Sequence, residues 1–119
     1  MKSIHWDSLP LEKLSEGITR RYLCGERITV AEFNLQKGSL VPEHSHENEQ
    51  ISYVLEGVLR FALNGKPVDV LAGEMLVIPP NVPHSAEALA HCRALDIFSP
   101  IRQDWVNNDD AYLRGSSKK

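Results

Sequence analysis

The sequence has few cysteines, no long hydrophobic run and no excess of basic charge. Its only cysteines, Cys24 and Cys92, form no CxxC, which argues against a disulfide framework and a thiolate zinc site. The longest apolar run, Met75–Ile78, is far shorter than the ~20 residues of a membrane-spanning helix. The formal net charge is −3, with no basic footprint for a phosphate backbone. We therefore expect neither nucleic acid nor membrane as a partner.

The start of the sequence also lacks the pattern of a signal peptide. No apolar segment of signal-peptide type follows Lys2, so the sequence predicts a cytoplasmic protein whose thiols are reduced. A chain of 119 residues is the size of one domain, which argues against a two-domain enzyme architecture.

Helical periodicity is also missing, and short strand-like runs take its place. Turn signals separate the runs, and Asn64-Gly65 is the strongest of them, because both central residues of a type I′ hairpin turn need positive φ. About nine strands at this spacing predict an all-β sandwich or barrel of the jelly-roll kind. The predicted strands are Ile18–Cys24, Ile28–Gln36, Leu40–Pro42, Gln50–Glu56, Leu59–Asn64, Val68–Leu71, Met75–Ile78, His84–Ala88 and Cys92–Phe98.

We divide the chain into three parts on this basis. Residues 1–17 are predicted to be an N-terminal arm that packs against another surface, and residues 18–105 the β-barrel domain. Residues 106–119 are predicted to be a polar C-terminal tail that frays.

Three histidines and a glutamine suggest a metal site. His44 and His46 are two residues apart, so on an extended segment both imidazoles project to one side, and Gln50 shares their parity. His84 lies on another predicted strand and completes the set only if a closed barrel brings the strands together. Imidazole with one neutral oxygen suits a first-row divalent metal rather than calcium or magnesium. The alternative is a pair of surface histidines.

The spacing of these residues resembles the two motifs of the cupin superfamily. The first motif is matched by Gly38, His44, His46 and Gly57, with Gln50 where the family usually has glutamate. The second is matched by Gly73, Pro79 and His84, whereas Asn81 replaces a glycine and Ala88 an asparagine.

The resemblance implies a cupin double-stranded β-helix, which is an all-β jelly-roll barrel. It also implies one divalent first-row transition metal (Ni, Zn, Fe, Mn or Co) bound by His44, His46, Gln50 and His84. Four neutral ligands leave the full charge on the ion and make it a stronger Lewis acid, which favours isomerase or binding chemistry over oxygen activation. Alternatively, Gln50 bonds only its strand neighbours, or a shifted register places Glu49 at the site instead.

The last predicted strand carries a second group of candidate residues. Leu95–Trp105 resembles the small single-domain cupins related to the pectin-degradation protein KdgF, and this resemblance places Asp96 and Phe98 at catalytic positions. Arg102 is our own candidate for bidentate binding of a substrate carboxylate, and Arg60 has the parity to reach the barrel lumen. Each of these residues also has an alternative role in the fold alone. Asp96 would be a buried carboxylate that caps backbone groups, and Phe98 would be part of the core. Arg102 would form an ion pair with Asp104, and Arg60 would be solvated.

The resemblance implies an enzyme that converts 4,5-unsaturated uronate monosaccharides to linear ketonised sugars, with Asp96 moving a proton and Phe98 shaping the pocket. Two alternatives share the fold: a non-catalytic module that binds a small sugar or acid, and a metal-dependent dioxygenase. The resemblance also implies a homodimer that pairs through sheet edges or exchanges the N-terminal arm.

Overall fold

The computed structural model describes residues 2–114, which form two antiparallel β-sheets facing each other. The larger sheet has the order β1-β2-β3-β10-β5-β8, and the smaller has the order β4-β9-β6-β7. The strands are β1 (Glu12–Ser15), β2 (Ile18–Cys24), β3 (Thr29–Leu35), β4 (Leu40–His44), β5 (Glu49–Glu56), β6 (Val58–Leu63), β7 (Lys66–Leu71), β8 (Met75–Ile78), β9 (His84–Ala88) and β10 (Cys92–Ser99). The all-β jelly-roll prediction is confirmed.

Alternation along the strands places the core between the two sheets. In β3, for example, Thr29, Ala31, Phe33 and Leu35 are buried while the residues between them are partly exposed, as a period of two requires. Toward one end of the larger sheet, the inward positions of β5 and β10 are polar instead, which creates a polar site inside the barrel.

The Asn64-Gly65 turn forms as predicted. Both residues have positive φ, 51° and 80°, and Leu63 pairs with Lys66 across a two-residue hairpin loop. Gly57 also has a positive φ, 85°, and in addition a Cβ there would overlap the His91 carbonyl oxygen.

The structure shifts both predicted boundaries of the barrel. β1 lies inside the predicted arm and pairs with β2 of the same chain, so the larger sheet begins at Glu12. At the other end, helix α1 (Gln103–Val106) carries Trp105 into the core, where it is 2% exposed. Each element is too short for a periodicity to show it in the sequence.

The prediction of a fraying tail is wrong for residues 106–114, and residues 115–119 lie outside the described residues. A 3₁₀ turn, Ala111–Arg114, packs against β1 and β4. Asp110 is buried and accepts hydrogen bonds from Arg20 Nη2 at 2.9 Å and Arg114 Nε at 3.0 Å. Glu12 binds the same Arg20 Nη2 at 2.8 Å, so ion pairs hold the C-terminal turn to the first two strands.

The two cysteines, Cys24 and Cys92, are both free thiols. Among the described residues, no helix combines the length and apolar character needed to cross a bilayer.

Candidate metal centre

The three predicted histidine ligands meet at the polar end of the barrel. His44 at the end of β4 and His84 at the start of β9 are direct cross-strand partners, so the register of the smaller sheet sets their spacing. His46 follows in the loop between β4 and β5. One ring nitrogen from each of the three lies within 4.8 Å of the others. The closed barrel therefore brings together residues that are up to 40 positions apart.

Backbone carbonyls fix the orientation of all three rings. His44 Nδ1 lies 2.9 Å from the Pro42 oxygen, His46 Nδ1 3.0 Å from the Asn48 oxygen, and His84 Nδ1 2.8 Å from the Val82 oxygen. A carbonyl can only accept, so each neutral ring carries its proton on Nδ1 and leaves the Nε2 lone pair free. This arrangement of a second partner behind each imidazole is typical of metal-ligating histidines.

Electrostatics keeps the rings neutral. Burial lowers the pKa of His44 and of His46 to about 4, and burial also lowers the pKa of His84. His84 Nε2 is buried and has no hydrogen-bond partner in the described part of the chain. A buried, unpaired nitrogen is costly unless a cation uses its lone pair. The donor set fits one divalent first-row metal ion.

Gln50 adds an oxygen from the opposite sheet. It is 4% exposed on β5, and its Oε1 lies 3.0 Å from His46 Nε2. Because the His46 proton is held on Nδ1, this contact opposes two lone pairs, a conflict that a shared cation removes. Glu49 is exposed, so the register places the glutamine and not the glutamate inside.

Asp96 lies behind Gln50, on β10. The Gln50 Nε2 amide donates to Ser52 Oγ at 2.9 Å and to Asp96 Oδ2 at 3.4 Å. Asp96 Oδ1 is buried and lacks a hydrogen-bond partner among residues 2–114. Burial raises the pKa of Asp96 to about 6, against the opposing effects of the Ser52 hydrogen bond and the Arg102 charge. A carboxyl group with this pKa can take up and release a proton near neutral pH.

Phe98 and Arg102 form the floor beside the histidines. Phe98 is 2% exposed, its ring lies 5.7 Å from the His46 ring, and the Arg102 guanidinium lies 4.7 Å above it. The predicted bidentate binding of a substrate carboxylate by Arg102 needs correction. Arg102 Nε and Nη2 already bind Asp104 at 3.0 and 2.7 Å, so that edge of the guanidinium is occupied.

Arg60 does not reach the lumen as predicted, so it is not placed to bind a substrate there. It lies on the outward face of β6 between the buried residues Leu59 and Phe61. Its guanidinium is paired with Asp69 on β7, with Nε donating to Oδ1 at 2.7 Å. The prediction for Arg60 relied on its even sequence separation from Gln50. That separation does not set the direction of the side chain, because the two residues are on different strands in different sheets.

A cavity of about 50 Å³ opens beside the histidines. It has room for roughly four water molecules, so a sugar would have to extend beyond it or displace part of its wall. Its polar lining comprises His44, Gln50, His84, Ser85, Asp96, Arg102 and Tyr112.

Two residues of the site were missed by sequence reasoning. Asn48 is buried, holds His46 through its carbonyl, and donates from its side chain to the Pro100 and Ile101 carbonyls at 2.6 and 3.0 Å. Tyr112 lies on the C-terminal 3₁₀ turn, with its ring 4.5 Å from that of His44. A buried asparagine between the ligands was a possible signal, whereas nothing local marks Tyr112.

The model of the family described as Cupin domain matches residues 31–98. The structure of KdgF from Halomonas sp. superposes with a TM-score of 0.77 at 27% identity, covering 83% of this chain and 94% of that one. An RmlC-like cupin from Shewanella frigidimarina superposes with a TM-score of 0.79 at 28% identity, covering 87% and 96%.

A curated protein is also similar in sequence. Acireductone dioxygenase from Saccharomyces cerevisiae is 32% identical, with 64% of this chain and 57% of that protein covered. The chain thus spans little more than half the length of this relative.

Proposed function

The chain belongs to the cupin domain family, and we propose that it is a metal-dependent enzyme that converts 4,5-unsaturated uronate monosaccharides to linear ketonised sugars. The observation that carries the proposal is the contact of Gln50 with both His46 and Asp96, which joins a metal-ligand set to a proton-transfer group. The likeness to KdgF, at 27% identity, supports the choice of substrate class.

The residues assigned to the metal are His44, His46, His84 and Gln50. A divalent cation held by neutral ligands would supply Lewis acidity to the oxygens of a bound sugar. Nickel, zinc, iron, manganese and cobalt all suit this donor set.

Asp96 is the proposed general base and acid. It takes the proton of the anomeric hydroxyl, the anomeric carbon becomes an aldehyde, and the bond from that carbon to the ring oxygen breaks with its electron pair on the oxygen. The enolate so formed becomes a ketone when Asp96 returns the proton to the neighbouring alkene carbon. No atom is gained or lost, so the reaction is an isomerisation, and Phe98 walls the pocket in which it occurs.

The experiment is a turnover assay with protein reconstituted separately with each of the five metals. Unsaturated galacturonate, or the corresponding alginate monomer, is added, and the ultraviolet absorbance of the conjugated alkene is followed. We expect rapid loss of absorbance with the wild type and a rate about 100-fold lower with Asp96→Asn. Asp69→Asn, on the outer face of the smaller sheet, is the matched control. No acceleration over buffer with either sugar and any metal would reject the proposal.

A dioxygenase is the second candidate, favoured by the 32% identity to acireductone dioxygenase. The same four ligands would serve, but oxygen would be consumed. An oxygen electrode with iron-loaded or nickel-loaded protein and acireductone separates the two functions, because the isomerisation uses no oxygen. A ligand that raises the melting temperature and is recovered unchanged would instead indicate a binding module.

The proposed assembly is a homodimer. The outer face of the larger sheet exposes apolar side chains, including Met75 and Val77 on β8 and Ile97 on β10, at 66%, 53% and 38%. An apolar sheet face of this kind is typical of a protein interface. Because β1 pairs within its own chain, we place the contact on this face rather than on an exchanged arm. Light scattering should give twice the 13.4 kDa chain mass.

A further inference from the structure

Tyr112 closes the cavity from a part of the chain far from both histidine motifs. The 3₁₀ turn that carries it is held by side chains, with Asp110 buried between Arg20 and Arg114. Leu113, 5% exposed, anchors the same turn in the core. These contacts hold Tyr112 against the barrel, although it comes from the predicted tail.

The phenol oxygen of Tyr112 has one partner, and that partner is a donor. Arg102 Nη2 donates to it at 2.6 Å. A guanidinium cannot accept, so the hydroxyl proton of Tyr112 must point elsewhere. No acceptor for it is present within residues 2–114, and the residue lines the cavity.

Arg102 offers a second donor beside it. Its Nε and Nη2 are used by Asp104, and Nη2 also serves Tyr112. Nη1 makes no hydrogen bond to the rest of the described chain, and the guanidinium is fixed between Phe98 and Trp105, 4.7 and 4.5 Å from the two rings. Two neighbouring hydrogen-bond donors, one of them charged, form a site for an anionic oxygen group such as a carboxylate.

We propose that the Tyr112 hydroxyl donates a hydrogen bond to the carboxylate of the bound ligand and so determines specificity for acidic sugars. This inference rests on the proposed function. The metal ligands hold the reacting end of the sugar, and the Arg102–Tyr112 pair holds its acid group. Tyr112 is a binding residue in this scheme, and it takes no part in the proton transfer assigned to Asp96.

The test compares Tyr112→Phe with the wild type and with Tyr53→Phe. Phenylalanine keeps the ring beside His44 and removes only the hydroxyl, whereas Tyr53 lies on the outward face of β5 and serves as the matched control. We expect Tyr112→Phe to raise KM for unsaturated galacturonate about tenfold while kcat changes less than threefold. Calorimetry with D-galacturonate, a saturated and unreactive analogue, should show a similar tenfold loss of affinity, and metal content should not change.

The outcomes separate the two proposals. An active wild type whose KM and galacturonate affinity are unaffected by Tyr112→Phe overturns the role of Tyr112 and leaves the enzyme function intact. Equal losses in Tyr112→Phe and Tyr53→Phe also overturn it, since the hydroxyl at position 112 would then have no special role. A wild type that neither turns over unsaturated uronates nor binds galacturonate overturns both proposals.

Discussion

The carboxamide of Gln50 lies between His46 and Asp96, with its oxygen 3.0 Å from His46 Nε2 and its nitrogen 3.4 Å from Asp96 Oδ2. Donation to Ser52 and Asp96 determines which end of the amide faces the histidines, because only the nitrogen can donate. A glutamate at this position would set two carboxylates against each other. Asp96 thus accounts for glutamine at position 50, where the family usually has glutamate.

Gln50→Glu tests this relationship. We expect the variant to bind metal stoichiometrically but to turn over at least tenfold more slowly, because the new carboxylate partly neutralises the ion and repels Asp96. Metal analysis and initial rates measure the two effects separately. Glu49→Gln, an exposed change on the same strand, is the control. Full activity in Gln50→Glu would show that the amide has no catalytic importance.

His84→Ala should abolish stoichiometric metal binding and leave a folded β protein. The variant removes a buried ligand whose Nε2 has no other partner, whereas the core of the barrel is formed by apolar residues of both sheets. Elemental analysis after reconstitution gives the metal content, and circular dichroism gives the fold. His91→Ala removes an exposed histidine and should keep the metal. Collapse of the fold in His84→Ala would mean that the metal is structural.

The metal-free protein should lose stability between about pH 6.5 and pH 4 because of His44 and His46. Their folded-state pKa of about 4 lies below the ordinary value of 6.5, so the unfolded chain binds more protons in this window. Their contribution is fully present above pH 6.5 and is lost as the pH falls. Asp96 acts in the opposite direction, since its raised pKa of about 6 makes the folded state the better proton acceptor.

The opposing effects of His44 and Asp96 on stability are separated by the variant His44→Gln. Urea unfolding of metal-free wild type and His44→Gln at pH 7 and pH 5 gives the free energies of unfolding. The wild type should lose more stability than His44→Gln on acidification, because Asp96 contributes to both proteins alike. Equal losses would contradict the depressed pKa of His44.

Asn81 occupies a position where the backbone needs a left-handed conformation. Its φ is 65°, and its N–H donates to the His46 carbonyl at 2.8 Å, which connects this turn to the metal loop. Asn81→Ala should lower the free energy of unfolding by about 1 kcal/mol, because a Cβ without a compensating side chain is disfavoured there. Asn81→Gly should change it by no more than about 0.5 kcal/mol. Denaturant unfolding measures both, and equal values for the two variants would refute the backbone explanation.

Parity along the chain predicted three of the candidate metal ligands, His44, His46 and Gln50, but its physical basis was incomplete. Only His44 lies on β4, and residues 45–48 leave the strand before β5, which carries Gln50, begins at Glu49 in the opposite sheet. The same reasoning placed Arg60 in the lumen, where it is not found. Parity is reliable within one strand, as the inward positions of Asp96 and Phe98 illustrate, and it carries no information across a loop.

The sequence by itself determined the fold class, nine of the ten strands with their hairpin turn, and the types of residue that suit a metal ion. Those features depend on local alternation, turn residues and donor chemistry, which are visible in short stretches of chain. Only the tertiary structure decided that His84 pairs with His44, that Asp104 occupies one edge of Arg102, and that Tyr112 closes the cavity. These contacts join distant segments, and they follow from sheet register and from buried ion pairs that no local pattern encodes.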